Sequence, residues 1–144
     1  MITIEDIDFN DSKVWDLICS GNSRGIFQSE SQLVSNWLKK IKPRNLTELS
    51  AVIAAVRPGC LESGGTDEYL GYKTGVITYE SIHPIVDDIL SATHHSLLYQ
   101  EQLILLGRRL AWSHLEENAQ LLKADELRKA VGKKNQEKII KIGK

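Results

Sequence analysis

The 144-residue chain carries a formal net charge of −1, with 42% hydrophobic and 26% charged residues, the composition of one ordinary globular domain with a single core. That balance excludes a uniformly basic nucleic-acid-binding protein, and no apolar run approaches the ~20 residues of a membrane span. Cys19 and Cys60 stand far apart without a Cys-x-x-Cys pattern, which argues against a disulfide framework and for reduced thiols.

Charge is spread unevenly. Glu5, Asp6, Asp8, Asp11 and Asp16 are offset only by Lys13 near the start. The tail carries Lys123, Arg128, Lys129, Lys133, Lys134, Lys138, Lys141 and Lys144 against Asp125, Glu126 and Glu137. Such a local basic surface binds phosphates even when net charge is near zero. Met1-Ile2-Thr3-Ile4 runs into acids without a signal-peptide pattern, so a cytoplasmic protein is expected.

In chain order, Asp11 or Ser12 caps a short helix ending at Cys19, with Val14, Leu17 and Ile18 on one face. Turn chemistry at Ser20-Gly21-Asn22-Ser23 ends it. Gly25-Ile26-Phe27-Gln28 reads as extended, with Phe27 entering the core. Ser29 and Gln32 have capping-box spacing and open a second helix whose stripe is Leu33, Trp37, Leu38 and Ile41, stopped by Pro43. Asn45 with Glu48 repeats the cap, and Leu49, Val52, Ile53 and Val56 continue as a largely buried helix until Arg57-Pro58-Gly59 breaks it. Cys60 to Gly75, with Gly64, Gly65, Gly71 and Gly75, reads as a long turn-rich connection with one helical turn near Asp67.

Val76-Ile77-Thr78-Tyr79 predicts a short strand, and Pro84 to Leu90 a short helix with proline in its first turn. Ser96-Leu97-Leu98-Tyr99 is either a second strand or a helix start, followed by a helix from Gln100 to Leu110. Ser113 with Glu116 caps a long helix from His114 to about Val131, with Leu115, Ala119, Leu122, Leu127 and Ala130 inside and Gly132 as a left-handed stop. The expected fold class is mostly α: a compact multi-helical domain over 1–144 with at most a short two-stranded element, 1–10 and 135–144 being loose ends.

Arg57 is the sharpest candidate. A guanidinium between a buried helix and a Pro-Gly turn is held by rigid backbone and grips phosphate oxygens in two-pronged fashion. From spacing alone, capping the preceding helix's carbonyls is the commoner role. Arg128, Lys129, Lys133 and Lys134 form a basic helix end that suits phosphates, although dipole-matched, solvated lysines are the commoner explanation. Ser29, Glu30 and Ser31 open a helix that could receive an anion, with a plain structural cap favoured. Tyr99 could stack on a base, and Gln100 or Gln102 bond in a groove, against a bland polar helix start. His94-His95, on a strand, would point to opposite faces and has no further ligand at metal spacing. Ser63-Gly64-Gly65 lacks the Gly-Lys-Ser/Thr of a phosphate loop.

Arg24-Gly25-Ile26-Phe27-Gln28-Ser29-Glu30-Ser31, Val56-Arg57-Pro58-Gly59, Tyr99-Gln100-Glu101-Gln102 and Leu127-Arg128-Lys129-Ala130-Val131-Gly132-Lys133-Lys134 occur in this order. Together they resemble the fingers region of the bacterial C-family replicative DNA polymerase, the polymerase III alpha subunit. The resemblance runs from about Asp8 to Lys134 and includes Lys39-Lys40-Ile41-Lys42-Pro43 and Ser63-Gly64-Gly65-Thr66-Asp67-Glu68-Tyr69. It departs where Cys60 follows Arg-Pro-Gly, where His94-His95 replaces a Tyr-Gly pair, and in a Ser113–Arg128 stretch longer by roughly two helical turns.

The resemblance implies that Arg57, Arg128 and Lys129 bind the incoming deoxynucleoside triphosphate, with Lys129 in place of an arginine. Lys133, Lys134, Tyr99 and Gln100 are then the contacts to primer-template DNA. It also implies that the aspartates holding Mg2+ lie in a palm segment outside this chain, since Asp6-Ile7-Asp8 lies too near the terminus to serve. No cofactor is expected on the chain, which by itself is expected to be an inactive monomer, either a fragment or a split gene product, partnered by the remaining polymerase segments and not by a membrane. The departures suggest a divergent member, for example from a phage. A stand-alone nucleic-acid-binding module, or one that binds replication proteins, is the alternative.

Overall fold

In the computed structural model, which describes residues 3–142, the regular structure is helical and no strand occurs among the described residues. The chain divides into two units, Met1–Thr78 and Tyr79–Lys144.

In the first unit, α1 (Ser12–Cys19) begins where the Asp11 carboxylate accepts the Lys13 N–H at 2.9 Å. Its buried side is Trp15 and Ile18, so Val14 and Leu17, expected inside, are about half exposed. The Trp15 indole N–H sets this rotation by donating to the Phe9 carbonyl at 2.9 Å. Helix α2 (Gln32–Ile41) is capped by Ser31, which accepts from Val34 N–H at 3.3 Å, in place of the expected Ser29. Ser29 is buried instead, its carbonyl taken by the Ser23 hydroxyl. The stripe shifts accordingly: Val34, Trp37, Leu38 and Ile41 are buried and Leu33 is exposed. Lys42 turns left-handed (φ 51°) and Pro43 prevents continuation.

Helix α3 (Leu46–Ala55) starts with the Asn45 side chain accepting Glu48 N–H at 2.9 Å, as the sequence predicts. Ala51, Val52, Ala54 and Ala55 are buried. The stretch expected as a turn-rich connection is two helices, α4 (Pro58–Ser63) and α5 (Gly65–Thr74). Its glycines misled because they terminate helices: Gly64 and Gly75 are left-handed caps. Gly71 lies within α5 because Ile77 folds over it; a Cβ there would come within 2.4 Å of the Ile77 side chain. The same fold-back, with Ile77 N–H donating to the Gly71 carbonyl at 3.1 Å, replaces the expected strand at Val76–Tyr79. Helix α2 packs against α1, α3 and α5, and the buried Thr66 hydroxyl ties α5 to α3 through the Ala55 carbonyl at 2.7 Å.

In the second unit, α6 (Pro84–Leu90) is capped by His83 and followed by a 3-10 turn, Ser91–Thr93. His94 and His95 are consecutive left-handed residues (φ 48° and 64°), so the strand on which they would point to opposite faces does not form. Residues 96–99 are an irregular lead into α7 (Gln100–Leu106), which widens into a π-turn, Gly107–Ala111. Trp112 fills the space that this widening opens, its ring so close that a Cβ on Gly107 would lie 2.7 Å away.

Helix α8 (Glu117–Gly132) starts later than expected, because Ser113 belongs to the turn in which Leu115 N–H donates to the Trp112 carbonyl at 3.0 Å. Its apolar side is Ala124, Leu127 and Ala130, while Leu122 is 70% exposed. Gly132 remains helical, and the left-handed residue is Lys134 (φ 52°). A further helix, α9 (Gln136–Ile142), stands where a loose end was expected; residues 1, 2, 143 and 144 of the two expected loose ends lie outside the described residues. Ile139 and Ile142 recur at helical spacing and join Trp112, Ala124, Leu127 and Ala130 in the core of this unit.

Candidate nucleotide and nucleic-acid interface

Arg57 sits at a corner that its neighbours fix. Val56 is buried at the end of α3, and Pro58 sets the first turn of α4. Arg57 between them is extended (φ −118°, ψ 151°), and its carbonyl accepts Leu61 N–H at 2.9 Å. Its side chain is exposed, and among the described residues no hydrogen bond or ion pair holds the guanidinium. It does not cap α3, which was the commoner role on spacing alone.

The other candidates belong to the second unit. Arg128 approaches one Asp125 oxygen with Nη2 at 2.7 Å and Nε at 3.3 Å, while Lys129 Nζ lies 2.6 Å from the other oxygen. Hydrogen bonds from Lys129 and then Arg128 hold the Asp125 carboxyl below its ordinary pKa. Lys133 is the C-cap of α8, and Lys133 and Lys134 lie exposed in the turn that reverses the chain into α9. Tyr99 is the N-cap of α7 and Gln100 its first residue. They line a shallow pocket of about 170 Å³ together with Leu103 and Val131. The fold thus joins Tyr99 and Gln100 to the last turns of α8.

Gln102 is the functional-looking residue whose role changes. Its side chain is buried, and Oε1 accepts the N–H groups of Leu98 and Tyr99, both at 3.0 Å. Its Nε2 donates to the Thr93 hydroxyl at 2.7 Å, and that hydroxyl donates to the Ser96 carbonyl at 2.7 Å. Gln102 therefore fixes the loop that presents Tyr99, and is not a groove reader. Gln102→Leu would strand two backbone donors and should cost about 2 kcal/mol, read as a lower urea midpoint. An unchanged midpoint would refute this role.

The string around Gly25 is structural. Gly25 N–H donates to Glu30 Oε1 at 2.8 Å, and Phe27, expected in the core, is 81% exposed on a turn. The turn passes through left-handed Gly25 and Gln28, which rules out the extended conformation. His95 stacks on Tyr79 with ring centroids 3.9 Å apart, and the Tyr79 hydroxyl donates to Asp87 at 2.6 Å. Among the described residues no group of three or more His, Cys, Asp or Glu side chains is placed to hold a metal ion. Asp125 was missed by sequence reading, although its spacing of three and four residues before Arg128 and Lys129 is the signal for helical ion pairs.

Among the described residues the regular structure of both units is helical, and α8 ends in the exposed Lys133 and Lys134. The sequence pattern described as the bacterial DNA polymerase III alpha subunit finger domain matches residues 1–144. The DNA polymerase III subunit alpha of Yersinia pestis is 35% identical over 99% of this chain and 12% of its own length. The subunits of Campylobacter jejuni and Aquifex aeolicus are each 36% identical, over 96% and 92% of the chain and 11% of their own lengths. The chain belongs to the bacterial DNA polymerase III alpha subunit finger-domain family. It spans about an eighth of those relatives. Among the described residues no helix is long and apolar enough to cross a membrane.

Proposed function

We propose that this chain acts as the fingers of a replicative DNA polymerase, presenting cations to the incoming deoxynucleoside triphosphate and to primer-template DNA. The observation that carries the reading is Arg57, whose exposed guanidinium is held on a Val56–Pro58 corner without an internal partner among the described residues. Arg57 binds triphosphate oxygens, with Arg128 and Lys129 as further triphosphate contacts. Lys133 and Lys134 meet the DNA backbone, while Tyr99 and Gln100, which share a pocket with Val131 of α8, offer a stacking face and a polar edge.

The magnesium-binding carboxylates, whose ions would neutralise charge on the attacking and leaving oxygens, come from a palm segment of the polymerase. The chain works in the cytoplasm as one copy within that larger assembly and does not polymerise alone. No observation favours the alternative of a stand-alone binding module.

The test is a chimera in which residues 1–144 replace the matched segment of the Yersinia pestis subunit. It should incorporate nucleotides on a primed template. A chimera that is folded by circular dichroism yet inert, beside an active parent, would overturn the reading.

A further inference from the structure

Asp125 makes both of its contacts with the cations assigned to nucleotide binding. One oxygen takes Arg128 through Nη2 (2.7 Å) and Nε (3.3 Å), and the other takes Lys129 Nζ (2.6 Å). This is the two-oxygen geometry that a phosphate group would offer the same pair. All three side chains are about half exposed, so no burial locks the arrangement. Exposed helical ion pairs are individually weak and exchange readily with a competing anion. Resting on the reading of Arg128 and Lys129 as triphosphate contacts, we propose that Asp125 is an internal counter-ion that occupies this cation pair until a polyphosphate displaces it.

Asp125 is then a positioning residue with two effects. It keeps Arg128 and Lys129 aligned on one side of α8 in the unliganded protein. It also lowers the affinity of that pair for any polyanion, so that loosely matched anions are rejected and a triphosphate carrying several charges is retained.

The test uses this chain and inorganic tripolyphosphate, with binding measured calorimetrically at about 50 mM and about 200 mM salt. Asp125→Asn keeps the side-chain shape and removes the charge. It should bind about threefold to fivefold more tightly at the lower salt and converge on the parent at the higher. Glu126→Gln makes the same change in net charge on the neighbouring residue and should move affinity by less than half as much on a logarithmic scale. Arg128→Ala should remove the gain seen with Asp125→Asn when the two are combined. Circular dichroism checks that each variant keeps its helix content.

Equal affinity of Asp125→Asn and the parent, or an equal gain in Glu126→Gln, overturns the counter-ion role while leaving the nucleotide-binding reading intact. Binding that Arg128→Ala and Lys129→Ala do not weaken, or no binding by the parent and Asp125→Asn alike, overturns the reading of the cation pair and the inference with it.

Discussion

Trp112→Ala should destabilise the second unit by about 3–5 kcal/mol, a large part of the ~5–15 kcal/mol that holds a typical domain. Trp112 is only 2% exposed and lies in one cluster with Ala124, Leu127 and Ala130 of α8 and Ile142 of α9. Its indole N–H donates to the Ile142 carbonyl at 3.3 Å, so the residue also ties the last helix to the rest. Truncation removes the ring, leaves a cavity among Ala124, Leu127, Ala130 and Ile142 that the helices close only in part, and strands the Ile142 carbonyl. The Gly107 backbone, which approaches the ring because it has no Cβ, would face that void. Urea unfolding followed by far-ultraviolet circular dichroism should show a first transition at lower denaturant. Trp112→Phe should recover most of the loss, because it restores volume without the N–H donor. A midpoint unchanged in Trp112→Ala would mean that this cluster is not the unit's core.

The sequence made α1 and α3 legible because each begins with a side chain that has one local task, and α6 because Pro84 sets its first turn. Asp11 and Asn45 each accept a backbone N–H from within the first turn, as such caps do, and His83 does the same ahead of Pro84 in the structure. The boundaries that were missed depend on distant packing. Ser113 has the right neighbour for a cap, yet the π-turn and the packing of Trp112 carry the chain past it before α8 can start. Gly64 and Gly75 read as loop residues because a glycine that ends a helix and one that makes a turn look alike without knowledge of the flanking contacts. Helix α9 was missed because its apolar residues, Ile139 and Ile142, pack in a cluster with Trp112 and α8 that is distant in sequence.

The candidate interface was legible in a different way. Charged residues are easily found in a sequence, but their pairing is not. Arg57 and Arg128 look alike on paper. In the structure Arg57 has no ion pair among the described residues, whereas Arg128 shares Asp125 with Lys129. The two arginines therefore start from different electrostatic states, and their loss should not have the same consequence. Gln102 shows the converse, since a motif residue with groove-reading chemistry is spent on backbone N–H groups within its own loop.

Arg57→Ala, in the chimera that carries this chain within the Yersinia pestis subunit, should lower kcat/KM for nucleotide by about 10²-fold or more. The expectation follows from what the side chain lacks in the structure. With no internal partner among the described residues, the guanidinium contributes little to folding, and the isolated Arg57→Ala chain should unfold within about 0.5 kcal/mol of the parent. The loss must then fall on ligand contact. Arg57→Lys separates charge from shape. A lysine restores the positive charge but not the planar fork, so it should recover only part of the loss if two phosphate oxygens are held at once. Full recovery by lysine would indicate a single, point-charge contact. If Arg57→Ala raises KM with kcat unchanged, Arg57 binds the triphosphate equally in the ground and transition states; a fall in kcat shows that its grip tightens as the phosphoryl group is transferred. Near-normal values of both would remove Arg57 from the nucleotide site, because a residue with neither an internal partner nor a ligand would then occupy a corner that Val56 and Pro58 hold rigid for no purpose of its own.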